Sequence, residues 1–145
     1  MYKYDFKNDE WENTNRPMRG WNSSDENRSW HSCLLLNKEV FVAGGIGTKT
    51  TEIFNFQSNT WRSGPDLSKR IYGSQLVKAR PSSQYAAFLI GGGHYDEVYS
   101  DIYGLTKDFK SFEKIGNLKT THFTHVAMTL PDKVVERCVD WQRPE

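Results

Sequence analysis

A bulky ring returns in this chain at a nearly constant interval. Trp11, Trp61 and Phe112 stand fifty and fifty-one residues apart, and each ends the same kind of phrase. Tyr4-Asp5-Phe6 leads into Asp9-Glu10-Trp11, Phe54-Asn55-Phe56 into Asn59-Thr60-Trp61, and Tyr103-Gly104-Leu105 into Lys110-Ser111-Phe112. A second marker keeps a similar step: Val40-Phe41-Val42-Ala43-Gly44-Gly45 matches Ala87-Phe88-Leu89-Ile90-Gly91-Gly92, forty-seven residues on. A third follows each ring, as Arg16-Pro17-Met18, Gly64-Pro65-Asp66-Leu67 and Gly116-Asn117-Leu118. Three unrelated markers in one order with one period mean a chain built from repeated units.

Each unit is too short in pattern for helices. Val40 and Val42, and Phe88 and Ile90, alternate with their neighbours before a glycine pair, and Thr51 to Phe56 alternates before a Gln57-Ser58-Asn59 turn. No window carries a sustained 3.6-residue stripe. Aromatics make up 14% of the 145 residues, which suits short amphipathic strands. A unit therefore reads as four antiparallel strands: an inner strand a, b ending in Gly-Gly, c, and an outer d carrying the ring. Gly44, Gly45, Gly91 and Gly92 can take positive φ and lie against a neighbouring backbone. Trp61, with Trp11 and Phe112 at the matching positions, offers a flat surface to cover the seam between units. All seven are read as structural.

A strand closed by Gly-Gly, an aromatic strand about ten residues on, a Trp six or seven residues later and then Pro-x-Leu/Met resembles the kelch repeat, whose units are β-propeller blades. The resemblance covers nearly the whole chain. It implies an all-β fold, an incomplete kelch β-propeller of four-stranded antiparallel blades. Residues 1–29 supply half a blade (c and d) plus a loop, 30–66 and 67–118 a full blade each, and 119–145 a degenerate half blade (a and b). Phe112 departs from the motif where Trp is usual, Gly93 lengthens the second glycine pair, and no Gly-Gly follows Lys133 to Val139.

Several functions are disfavoured. Nineteen basic residues balance eighteen acidic ones without clustering, so nothing points to nucleic acid. No apolar run approaches the ~18 residues of a membrane span, and Met1 to Asp5 lacks the apolar core of a signal peptide. Cys33 and Cys138 read as buried thiols of a reducing, cytoplasmic compartment. Sequons at Asn22 and Asn27 keep a secreted alternative open. His122 and His125 are three apart, and on a strand they point to opposite faces, so no metal is expected. Gly91-Gly92-Gly93 lacks the Lys and helix start of a phosphate loop. No cofactor and no enzymatic activity are expected.

The remaining class is a protein-binding module. The b–c and d–a connections of a four-stranded meander emerge at one rim, and loops on a rigid scaffold carry binding residues. Here that rim holds Lys69, Arg70, Tyr72, His94, Tyr95, Asp96, Tyr99 and His122. Kelch substrate adaptors grip peptide segments there with Arg, Tyr and Ser, so the resemblance singles out Arg70 and Tyr72. A structural role competes with this: Arg70 pairing with an acid of the next blade, Tyr72 capping the channel. The resemblance further implies substrate recognition for a cullin-type ubiquitin ligase. Its alternatives are an actin or cytoskeletal scaffold, or a piece of a secreted kelch-scaffold enzyme of galactose-oxidase or sialate-isomerase type. Propellers close with about four to eight blades, and about three leave an open arc with bare edges. Self-association or missing blades are therefore expected. Size-exclusion chromatography should give a broad or associated profile for the isolated chain; a sharp monomeric peak with a cooperative melt is the contrary result.

Overall fold

The computed structural model of the chain describes residues 2–13 and 28–130. These residues form strands and turns, with no helix among them. The first two strands, β1 (Tyr2–Asp5) and β2 (Glu10–Asn13), make a hairpin. Sheet one follows as β3 (Ser32–Leu36), β4 (Glu39–Ala43), β5 (Thr51–Asn55) and β6 (Thr60–Ser63), each antiparallel to the one before. Sheet two repeats the meander. It consists of β7 (Gln75–Lys78), β8 (Tyr85–Ile90), β11 (Asp101–Thr106) and β12 (Phe112–Asn117), with a small hairpin of β9 (Gly93–His94) and β10 (Glu97–Val98) set into its second connection.

The turns explain why the outer hairpins recur. At the end of each third strand a short polar side chain accepts backbone N–H groups of the turn, which favours a reversal over further extension. Asp5 accepts from Lys7 at 2.8 Å, Asn55 from Gln57 at 2.8 Å, and the Thr106 hydroxyl from Ser111 at 3.1 Å. Seven residues after its cross-strand partner a ring returns in each hairpin: Tyr4 pairs with Trp11, Phe54 with Trp61, and Leu105 with Phe112.

Register makes the two sheets residue-for-residue equivalents. The row Leu34, Phe41, Ile53, Arg62 of sheet one matches Val77, Phe88, Gly104, Glu113 of sheet two. Strand alternation turns these rows toward the following unit and the rows between them toward the preceding one. Phe41, Ala43 and Ile53 of sheet one accordingly share one core with Leu76, Ala87, Leu89, Tyr103 and Leu105 of sheet two, capped by Leu67 and Ile71 of the connection. Phe112 and Phe109 close this seam against Phe41, at ring separations of 6.1 and 6.0 Å. On the other face of sheet one, Val42, Phe54 and Trp61 form a smaller core.

The inner edge of the seam is backbone against backbone. Gly45 N–H donates to Ile71 O at 2.9 Å, and Gly92 N–H donates to His122 O at 2.8 Å, the same bond one unit later. Gly44 and Gly91, with φ of 65° and 59°, come so close that a Cβ would lie 2.2 Å from Ile71 O and 2.6 Å from His122 O. The hydroxyl of Ser32 donates to Ser74 O, tying the starts of the two innermost strands.

Four expectations need correction or limitation. Cys33 is exposed, because it lies on the face of β3 turned away from sheet two; Cys138 lies outside the described residues, as do Asn22 and Asn27. The small hairpin β9–β10 was not anticipated, since its strands are only two residues each. Residues 119–130, the described part of the half blade expected over 119–145, join no sheet among the described residues. Trp11 stands 70% exposed, whereas Trp61 is buried against Val42 and Phe54 of its own sheet and Phe112 packs across the seam on Phe41.

Replacing Gly44 or Gly91 with Ala adds both a strained backbone and a clash with a carbonyl that cannot retreat. Each should cost about 2 kcal/mol or more in chemical denaturation. Gly116→Ala, with nothing within 4 Å of the new methyl, should stay within about 0.5 kcal/mol of the parent.

Candidate functional site

The rim is built where the connections of the two sheets bond to one another. Leu67 N–H donates to Lys49 O at 2.8 Å, joining the loop after β6 to the loop between β4 and β5. Leu118 N–H donates to Ser100 O at 2.7 Å, the equivalent bond of the second unit. Tyr72 and Gly93 form a reciprocal bridge, and His122 N–H donates to Tyr99 O at 3.2 Å. All eight rim residues named from the sequence therefore sit on one interlocked set of loops. They divide into two groups.

The first group is aromatic. Tyr72 stands edge-on to Trp30 and Phe123, with centroids 6.3 and 5.4 Å away, and those two stack at 5.7 Å. His94 leans on Tyr72 at 6.2 Å, and Tyr95 on His94 at 4.2 Å. The Tyr72 hydroxyl accepts the Tyr95 N–H at 2.9 Å, which fixes a residue held at φ 52°. Trp30 is 54% exposed and Tyr95 73%, so the cluster has a half-buried middle, formed by Tyr72, His94 and Phe123, and two open rings. Trp30 and Phe123 escaped notice as site residues. The signal was available: Arg28-Ser29-Trp30-His31-Ser32, Arg70-Ile71-Tyr72-Gly73-Ser74 and Thr121-His122-Phe123-Thr124-His125 place a ring at one position of three successive units.

The second group is ionic and centres on Asp101, 7% exposed. Lys69 Nζ lies 2.6 Å from Asp101 Oδ2, Lys114 Nζ lies 2.6 Å from Oδ1, and the Tyr103 hydroxyl donates at 3.3 Å. Burial would raise the Asp101 carboxyl, but hydrogen bonds from Lys114 and Lys69 outweigh it and hold the group below its ordinary value. Lys69 also lies 3.3 Å above the Tyr99 ring, and Tyr99 donates to Glu97 at 3.1 Å. Burial, followed by the Glu97 carboxylate, pushes the Tyr99 phenol up. The residue that pairs with an acid is Lys69 and not Arg70, and that acid, Asp101, belongs to the same unit, 67–118.

Arg70 is exposed, and its repeat partner shows why. Arg28 stands at the matching position of the first unit. It donates to Gly44 O and Thr50 O at 2.6 and 2.9 Å and lies 3.5 Å from Glu52. In the second unit Tyr103 occupies the place of Glu52, so the acid that draws Arg28 inward has no counterpart for Arg70. Asp96 is exposed on the β9–β10 turn.

His122 is exposed, with Nε2 3.0 Å from the Thr120 hydroxyl. Strand alternation does not separate it from His125, because the chain bends between them at Thr124 (φ 50°), and their rings lie 5.7 Å apart. No group of three or more metal-ligating side chains occurs among the described residues. His125 is lowered by burial and then by the His122 charge; His31 is lowered chiefly by burial, against the pull of the Arg28 carbonyl.

No family model matches the chain, and no curated protein matches it.

Histidines whose folded pKa is lowered bind protons better in the unfolded chain, so their stabilisation holds above the unfolded value of about 6.5 and is lost as pH falls below it. Asp101, also lowered, gives stability that holds above about 4 and is lost below that. Thermal melts against pH should show a midpoint that is level above pH ~7, a first fall below ~6.5 and a second below ~4. The double variant His31→Gln, His125→Gln should remove the first fall and leave the second.

Proposed function

We propose that this chain is a segment of a kelch-type propeller whose rim binds a protein partner, with a peptide segment laid across the open rings and Arg70. The single observation that carries the reading is the convergence of the loops. Connections from two units interlock, holding Trp30, Tyr72 and Tyr95 as a fixed aromatic surface, and the exposed Arg70 stands two residues before Tyr72 in the same connection. Trp, Tyr and Arg are the side chains that dominate interface energetics, and rings held in place lose little freedom on binding. The glycine bonds repeated from unit to unit support the propeller part of the reading. Substrate recognition for a ubiquitin ligase is the role that best suits such a surface within the kelch class.

The test is quantitative recovery of copurifying proteins from a cell extract with tagged chain. Arg70→Ala and Tyr95→Ala alter exposed groups and leave the seam intact. Each should lower recovery of a specific partner about 10-fold or more. Gln57→Ala, on an exposed turn at the opposite end of sheet one, should leave it unchanged. Equal recovery from all three variants removes the rim assignment.

A further inference from the structure

At the end of the strands away from the rim, three turns of the two sheets meet: β3–β4, β7–β8 and β11–β12. The first is only Asn37-Lys38, whereas the second runs from Ala79 to Gln84. This longer turn is pinned along its length. Ala79 N–H donates to Ala86 O at 3.0 Å, Ser83 N–H to Arg80 O at 2.9 Å, and Tyr85 N–H to the Ser83 hydroxyl at 3.1 Å. The β11–β12 turn ties the other two together. Lys107 Nζ donates to Pro81 O at 3.2 Å, and the Phe109 ring lies 6.0 Å from Phe41 of sheet one. Phe109 is held there at φ 58°, a value uncommon for a bulky side chain.

Between the turns lies a cleft of about 340 Å³. Its lining divides by depth. Leu36 and Ala79 are buried and Tyr85 and Phe109 half-buried, which makes an apolar and aromatic floor. Lys78 and Lys107, with Arg80 beside them, are exposed. Among the described residues the lining includes no acid. The acids of the neighbouring strands and turns are engaged elsewhere: Asp108 accepts the Thr106 hydroxyl at 2.8 Å and lies 3.3 Å from Lys110, Glu39 binds Asn55 and Arg62, and Glu113 takes the Tyr85 hydroxyl.

We propose that this cleft binds an aryl phosphate, with the ring on the floor against Phe109 and Tyr85 and the phosphate held by Lys78 and Lys107. The volume falls in the range of small-ligand sites, about 300–1,000 Å³, whose walls are mostly apolar with a few placed polar groups. A flat ring gains from the aromatic floor, and ammonium groups form their strongest hydrogen bonds with an anion. A bare phosphate leaves the floor in water, and a neutral ring leaves the lysines unused. The pinned turns keep the cleft open beforehand, so little freedom is lost when it fills. The site is separate from the rim and stands whether or not the rim binds a protein.

Titration of the isotope-labelled chain with phenyl phosphate, followed by amide proton–nitrogen spectra, tests the proposal. Saturable shifts are expected at the amides of Ala79, Ser83, Lys107 and Phe109. Inorganic phosphate and phenol should each bind at least ~10-fold more weakly. Lys78→Gln and Lys107→Gln alter exposed side chains; each should weaken phenyl phosphate about 5-fold or more and leave phenol unchanged. Lys49→Gln, an exposed lysine at the rim end, should change nothing. A phosphotyrosine peptide as a second ligand tells a free aryl phosphate from a modified chain, and binding of either supports the site. No saturable shift at these amides with either ligand, inorganic phosphate binding as well as phenyl phosphate, or equal weakening by Lys49→Gln overturns the proposal.

Discussion

The hydrogen bond from the second glycine of each pair to the carbonyl just ahead of the next unit's ring organises the molecule. It is made twice, from Gly45 to Ile71 and from Gly92 to His122. It requires the preceding glycine to lie against that same carbonyl, at a distance no other residue tolerates. Everything else follows from that approach. The strands β3 and β7 are drawn together, and rings from the outer hairpin of sheet two reach back across the seam. Ala43 and Ala87 lie on the second strands of the two sheets, while Phe109 and Phe112 bring larger rings from the outer hairpin against Phe41.

Much of this was legible beforehand because the constraint is local and recurs. A glycine pair that must meet a backbone cannot vary, so it shows in the sequence as a fixed mark. The ring seven residues after its strand partner shows for the same reason. What the sequence concealed depends on which neighbour a side chain finds. Arg28 and Arg70 occupy one repeat position, and only the exchange of Glu52 for Tyr103 separates a buried arginine from an exposed one. Residue type alone points Cys33 inward, whereas strand alternation places it on the side of β3 turned away from sheet two. Expecting His122 and His125 to diverge assumed an extended strand, and a single residue with positive φ undoes that assumption.

The rim shows how a repeat scaffold acquires individuality. The interlocking bonds are the same in each unit, but the side chains they carry differ. Trp30, Tyr72 and Phe123 share a position and give a continuous aromatic column. The β9–β10 hairpin enlarges one loop only and lays His94 and Tyr95 against that column. Sheet two also differs in its outer face: Gly104 stands where Ile53 would be, and the Tyr85 ring occupies the vacated space, its hydroxyl donating to Glu113 at 3.0 Å.

Asp101 has a consequence for selectivity. Asp101 and Glu97 together offset the charges of Lys69 and Lys114 around Tyr99, which leaves Arg70 as the exposed cation of this connection for the partner proposed above. Long-range attraction of acidic segments is then feeble. Discrimination between ligands would rest on how well flat or prolyl surfaces stack, and affinity would change little as ionic strength rises.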